Sequence, residues 1–140
     1  MPQNDKAPLS LRHPAIAWLV LAGYCLVIFI QSALPTPDMG PDFPFQDKMT
    51  HLAAYAVMGF LACRAWASLP WPRGTLAICL AGFLFAVLFG LSDEWHQSFV
   101  PGRTADRWDV VADGLGALLG TGIHAWRRRA GTAPRHTFPR

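Results

Sequence analysis

Two long stretches without a single charge, Pro14–Leu34 and Gly74–Leu91, constrain this chain more than any other feature of it. They run to 21 and 18 residues, and roughly 20 apolar residues of helix cross the hydrocarbon core of a bilayer. Charge gathers just beyond the second stretch, in Ser92-Asp93-Glu94-Trp95-His96-Gln97-Ser98-Phe99-Val100-Pro101-Gly102-Arg103, with Asp109 and Asp113 following. Ionisable groups at the edge of a bilayer are costly, and by default they mark function.

Two shorter uncharged stretches complete the pattern: Met49–Cys63, 15 residues, and Gly114–Trp126, 13 residues. At 1.5 Å per residue they cover about 22 and 20 Å, less than the roughly 30 Å of a hydrocarbon core. To span, they must draw in the polar residues before them, which places Lys48-His51 and Asp109-Asp113 at the interface. The fold class predicted is an all-α integral membrane protein, four transmembrane helices in a bundle. Orientation follows from Lys and Arg. Lys6, Arg12, Arg64, Arg73, Arg127, Arg128, Arg129, Arg135 and Arg140 fall on one side, and Lys48, Arg103 and Arg107 on the other. Both termini are thus predicted to be cytoplasmic, with loops 35–48 and 93–107 facing outward and the chain in the cytoplasmic membrane. Trp18, Trp66, Trp71 and Trp126 inside, with Trp95 and Trp108 outside, fit an aromatic belt.

The organisation predicted is an N-terminal cytoplasmic tail (1–13), a transmembrane domain (14–126) and a basic, disordered cytoplasmic tail (127–140). Pro35, Pro37, Pro41 and Pro44 make the first outer loop extended, and Pro101-Gly102 is a turn signal in the second. Net charge is +3, but the basic residues form no stripe with aromatics, so nucleic acid is not a predicted partner. Cys25, Cys63 and Cys79 lie in apolar runs; an odd number there gives neither a disulfide framework nor a metal spacing, and they read as packing residues. The first apolar run is too long for the core of a cleavable signal.

Asp47, His51 and Tyr55 are four apart and share a helical face. An Asp one turn before a His can fix its tautomer and raise its basicity; the plain alternative is a helix cap and a mutually satisfied polar pair. Asp93 and Gln97 share a face beside Glu94 and His96; the alternative there is an interfacial extension anchored by Trp95 and Phe99. Asp109, Asp113, Gly116 and Gly120 form one stripe, in which Ala112-Gly116-Gly120 lets another helix approach closely. A buried Asp113 needs a partner, and Arg103 is the nearest candidate by sequence. Alternatively Arg103, with Lys48 or Arg107, holds the phosphate of a lipid-linked ligand. Asp47/His51 and Asp109/Asp113 also repeat the same i, i+4 spacing at the start of the even helices, a short match between halves. His51 and His96 with nearby acids have the donor types for a divalent ion, but no metal-binding motif is present and none is assigned. No cofactor is implied. Ser32, Ser92 and Ser98 sit in no nucleophile elbow, and His124 reads as an interfacial residue at the cytoplasmic end.

Asp47-Lys48-Met49-Thr50-His51-Leu52-Ala53-Ala54-Tyr55 resembles the DK-x-x-H-x-x-x-Y signature of the VanZ-like membrane proteins. The run Asp93-Glu94-x-x-Gln97-x-Phe99-x-Pro101-Gly102-Arg103, then Asp109 and a Gly-x-x-x-Gly helix, is similar to that family's second signature. Gln31-Ser32 before a proline matches the polar end of its first helix, and the likeness runs over about residues 14–126. The family commonly has Asn where Asp113 stands, so this chain adds a negative charge there. The resemblance implies a fold and a site, and a link to reduced susceptibility to lipoglycopeptide antibiotics, teicoplanin in particular; it implies no established chemistry.

Three functions compete. One is a protein that binds or modifies a lipid-linked or cell-envelope ligand at the outer face, its partners being membrane lipids and a cell-wall precursor or anionic lipid. Its ligand-binding residues are Lys48, Tyr55, Glu94, Gln97, Arg103, Asp109 and Asp113. Another is an interfacial enzyme with Asp47-His51 as general base and Asp93 beside it, Arg103 stabilising developing charge. The third is a structural or partner-binding membrane subunit. Proton-coupled transport ranks below these, because no ionisable residue falls mid-span.

Overall fold

The computed structural model describes residues 13–35, 45–70 and 74–132. Four helices make up the described residues, with no strand among them: α1 (Pro14–Ser32), α2 (Gln46–Ala67), α3 (Thr75–Gln97) and α4 (Arg107–Thr132). Pro37, Pro41, Pro44, Trp71, Arg73 and both predicted tails, apart from His13 and residues 127–132, lie outside the described residues. Residues 127–132, expected to begin a disordered tail, instead continue α4.

Pro14 starts α1 at its first turn, where its missing N–H is no loss. α1 and α3 are apolar enough to cross a membrane, with mean hydropathies of 2.1 and 2.3. Their large side chains point away from the bundle, among them Leu19, Leu26, Val27, Leu76, Leu84 and Leu88, each close to half exposed or more. An apolar outer surface of this extent is foreign to a water-soluble monomer. α2 and α4 are longer than the uncharged stretches within them. Each extends back over its polar prefix, Gln46-Asp47-Lys48 and Arg107-Trp108-Asp109, so the acids sit in the first helical turn. A carboxylate there is stabilised by the positive end of the helix dipole.

Small residues set the packing. A methyl group on Gly116 or Gly120 would strike the backbone carbonyls of Leu52 or Ala56, and one on Gly59 would lie 2.7 Å from the Ala117 carbonyl. α2 and α4 therefore touch backbone to backbone, as the stripe predicted. Gly82 gives the same room to Cys63 between α3 and α2, and Gly90 admits Tyr55 and Asp113. Around this seam lie the buried Leu21, Tyr55, Met58, Ala62, Ala65, Ala86 and Ala117. All three cysteines are free thiols. Trp18 packs edge-on against Trp66 at 5.4 Å, joining the start of α1 to the end of α2. Trp95, Trp108 and Trp126 stay exposed. His124, which the sequence suggested as interfacial, turns its side chain inward. It is buried, its ring edge-on to Phe60 at 5.8 Å, because α4 turns that face onto α2.

Candidate functional site

The ends of α1 and α3 and the beginnings of α2 and α4 meet at one end of the bundle, and the polar residues singled out above gather there. The α2–α4 contact holds the centre. His51 Nδ1 lies 2.9 Å from Asp113 Oδ1, and Asp113 is 1 % exposed. Arg103 is therefore not the partner of Asp113. Sequence proximity favoured it, but Gly116 and Gly120 draw α4 against α2, and that approach puts His51 over the carboxylate. Asp47 is also not the main partner of His51. It stands 3.9 Å from Nε2 with a largely exposed side chain, and Asp109 stands 4.0 Å away on the other helix. The two i, i+4 pairs noted in the two halves of the sequence thus face each other across one seam.

Arg103 acts elsewhere. Val100-Pro101-Gly102-Arg103 is closed by an Arg103 N–H to Val100 carbonyl bond of 3.1 Å, with Gly102 at φ 83°. That backbone is the type II turn, which needs glycine at its third position. The turn aims the guanidinium at the end of α1, where Nε and one terminal nitrogen donate to the carbonyls of Leu34 and Gln31, both at 2.9 Å. The last carbonyls of a helix have no partner within it, so Arg103 caps α1. Arg103→Ala is expected to loosen residues 29–35, raising amide exchange there while leaving α2 and α4 protected. Arg103→Lys, lacking the forked donors, should recover only part of that protection.

Lys48 is likewise engaged, with Asp106 at 2.7 Å and Asp109 at 2.8 Å. Asp106 is the residue that the sequence reading missed. Its Oδ1 accepts from the Trp108 N–H at 2.9 Å, capping α4, while its own N–H donates to Glu94 Oε2 at 2.9 Å. The Lys48 ammonium holds the Asp106 carboxyl below the usual carboxylate range. An Asp one residue ahead of a helix, three before a second Asp, is a capping signal that could have revealed it. Lys48 and Arg103 thus each bond to protein oxygens in this structure.

A cleft opens beside the seam, lined by Ile28, Gln31, Ser32, Thr50, His51, Ala54, Tyr55, Asp93, Gln97 and Arg103. Gln97 donates to Asp93 Oδ2 at 3.1 Å. Ser32 Oγ, Tyr55 Oη and Asp93 Oδ1 are buried and make no hydrogen bond among the described residues. Tyr24 donates to the Ala54 carbonyl at 2.9 Å and ties α1 to α2 behind the cleft. His96 is drawn off from the other candidates, stacked on Phe29 at 4.7 Å.

The VanZ/LLP1 family model matches residues 16–128, most of the chain. This chain belongs to the VanZ-like family. No curated protein and no solved structure matches it. In this VanZ-like chain both signatures lie at one end of the helix bundle. Asp47, Lys48, His51 and Tyr55 come from α2, Asp93, Glu94 and Gln97 from the end of α3, Arg103 from the turn, and Asp109 and Asp113 from α4.

Proposed function

We propose that this VanZ-like chain is a four-span membrane protein with both termini cytoplasmic, which binds or modifies a lipid-linked or cell-envelope ligand at its outer face. The two strongly apolar helices, the outward-facing leucines and the Lys/Arg asymmetry support the topology. The observation that carries the ligand reading is the cleft with Ser32 Oγ, Tyr55 Oη and Asp93 Oδ1 left without partners among the described residues. Buried polar groups are nearly always hydrogen-bonded, and an unpaired one weakens a fold unless something else engages it. Three around one cleft suit a polar head group held between helix ends. An effect on teicoplanin susceptibility is the cellular consequence proposed, on the strength of family resemblance.

The test is mass spectrometry of lipids that co-purify with the wild-type chain and with Asp93→Asn and Ser32→Ala, each shown to be folded by circular dichroism. A discrete lipid species enriched in the wild type and lowered in both variants is expected; equal recovery from all three overturns the reading. In cells, a Gram-positive strain expressing the wild type should shift in teicoplanin but not vancomycin susceptibility.

A second reading is supported by the His51–Asp113 contact. A carboxylate at 2.9 Å from Nδ1 orients an imidazole as general-base catalysts require, leaving Nε2 to take a proton. On this reading His51→Gln leaves the lipid bound but unaltered, which the same mass spectrometry resolves.

A further inference from the structure

His51 Nε2, a carboxylate oxygen of Asp47 and one of Asp109 lie within 4.8 Å of one another at the outer end of the α2–α4 seam. Both oxygens stand off the ring nitrogen, at 3.9 and 4.0 Å. That exceeds the roughly 2.7–3.2 Å of a hydrogen bond. It is close to the separation of two donors bound to one ion, since ligand distances of about 2.0–2.2 Å place neighbouring donors roughly 3–4 Å apart. We propose that Asp47, His51 and Asp109 form a divalent-cation site.

The surroundings are those of a metal ligand set. His51 Nδ1 lies 2.9 Å from Asp113 Oδ1, so in the neutral imidazole that donates Nδ1–H to Asp113 the Nε2 lone pair is on the side of the two other carboxylates. A metal-bound histidine nearly always has such a partner on its second nitrogen, and that partner fixes both tautomer and ring orientation. Lys48 binds Asp109 through Oδ1 at 2.8 Å, while Oδ2 is the oxygen nearest His51. Asp109 is thereby held in place with one oxygen available. Asp47 closes the set from the exposed side, so further coordination positions open outward to water or to oxygen donors of a ligand. One imidazole and two carboxylates suit Mn²⁺ or Zn²⁺ better than a soft metal. The pattern is invisible to a motif scan because Asp47 and His51 lie on one helix and Asp109 on another. The site also gives the outer face a positive centre that Lys48 and Arg103, both bonded to protein oxygens, do not supply.

The test uses the full chain in detergent, without added lipid, titrated with Mn²⁺ and read by electron paramagnetic resonance, with Zn²⁺ as competitor. One Mn²⁺ per chain, displaced by Zn²⁺, is expected for the wild type. Asp47→Asn removes a ligand from an exposed position without disturbing the seam, and should weaken binding about tenfold or more. His51→Gln should abolish it. Absence of stoichiometric Mn²⁺, as when an imidazolium His51 occupies the centre of the acids by itself, overturns the proposal. So does Asp47→Asn binding with wild-type affinity. Because no lipid is present, either failure leaves the ligand-binding reading standing.

Discussion

Alanine at Gly120 is expected to push α2 and α4 apart and to cost about 3 kcal/mol or more, the upper end of the range for overpacking. The obstacle is the backbone carbonyl of Ala56, with the Phe60 amide nitrogen 2.9 Å from the added methyl. Neither can swing aside as a flexible side chain could, so relief comes only from moving a whole helix. The control lies two residues on. Gly122 is on the same helix, and a methyl there would meet nothing within 4 Å. Gly122→Ala should be neutral or stabilising by roughly 0.5–1 kcal/mol, the ordinary gain of Ala over Gly in a helix. Denaturant unfolding of both variants in the same micelles distinguishes a packing seam from a general intolerance of α4. If the two variants unfold alike, the close approach does not hold the bundle together. Separation of the helices should also carry His51 away from Asp113, so Gly120→Ala is expected to lose any property of the site along with stability.

His51→Ala should lower stability by about 3–5 kcal/mol, the usual consequence of leaving one member of a buried ionisable pair without its partner. Asp113 is 1 % exposed, its Oδ2 makes no hydrogen bond among the described residues, and His51 supplies the contact to Oδ1. Asp113→Asn alone should stay within about 1 kcal/mol of wild type, since an amide oxygen accepts from the imidazole as a carboxylate does. Combined, His51→Ala with Asp113→Asn should be more stable than His51→Ala by about 2 kcal/mol, a coupling that a double-mutant cycle reads directly. A double variant no more stable than His51→Ala would show that the charge of Asp113 is not what His51 offsets. Asp113→Asn also restores the residue that the VanZ-like resemblance leads one to expect, so its tolerance is the natural measure of what the added charge does.

Much of this molecule was legible before any coordinate. Uncharged runs and a small-residue stripe are local patterns, and they identified four helices, a close approach of some helix to the α4 stripe and the polar end of the bundle. Helix boundaries were less legible where apolar runs were short: α2 and α4 continue through charged residues because the helical backbone tolerates Asp and Lys in its first turn. Which polar side chains share a helical face was likewise readable, since Asp47 and His51, and Asp93 and Gln97, are four apart.

Who pairs with whom was not. Sequence distance made Arg103 the natural partner of Asp113, and Asp47 the natural partner of His51. The tertiary structure assigned Asp113 to His51 instead, sent Arg103 to the carbonyls of Gln31 and Leu34, and gave Lys48 to Asp106 and Asp109. Spacing along one helix reports which side chains share a face, a property of 3.6 residues per turn. Pairing between helices depends on how deeply one backbone settles against another and at what register. Here that was decided by the absence of two side chains, at Gly116 and Gly120.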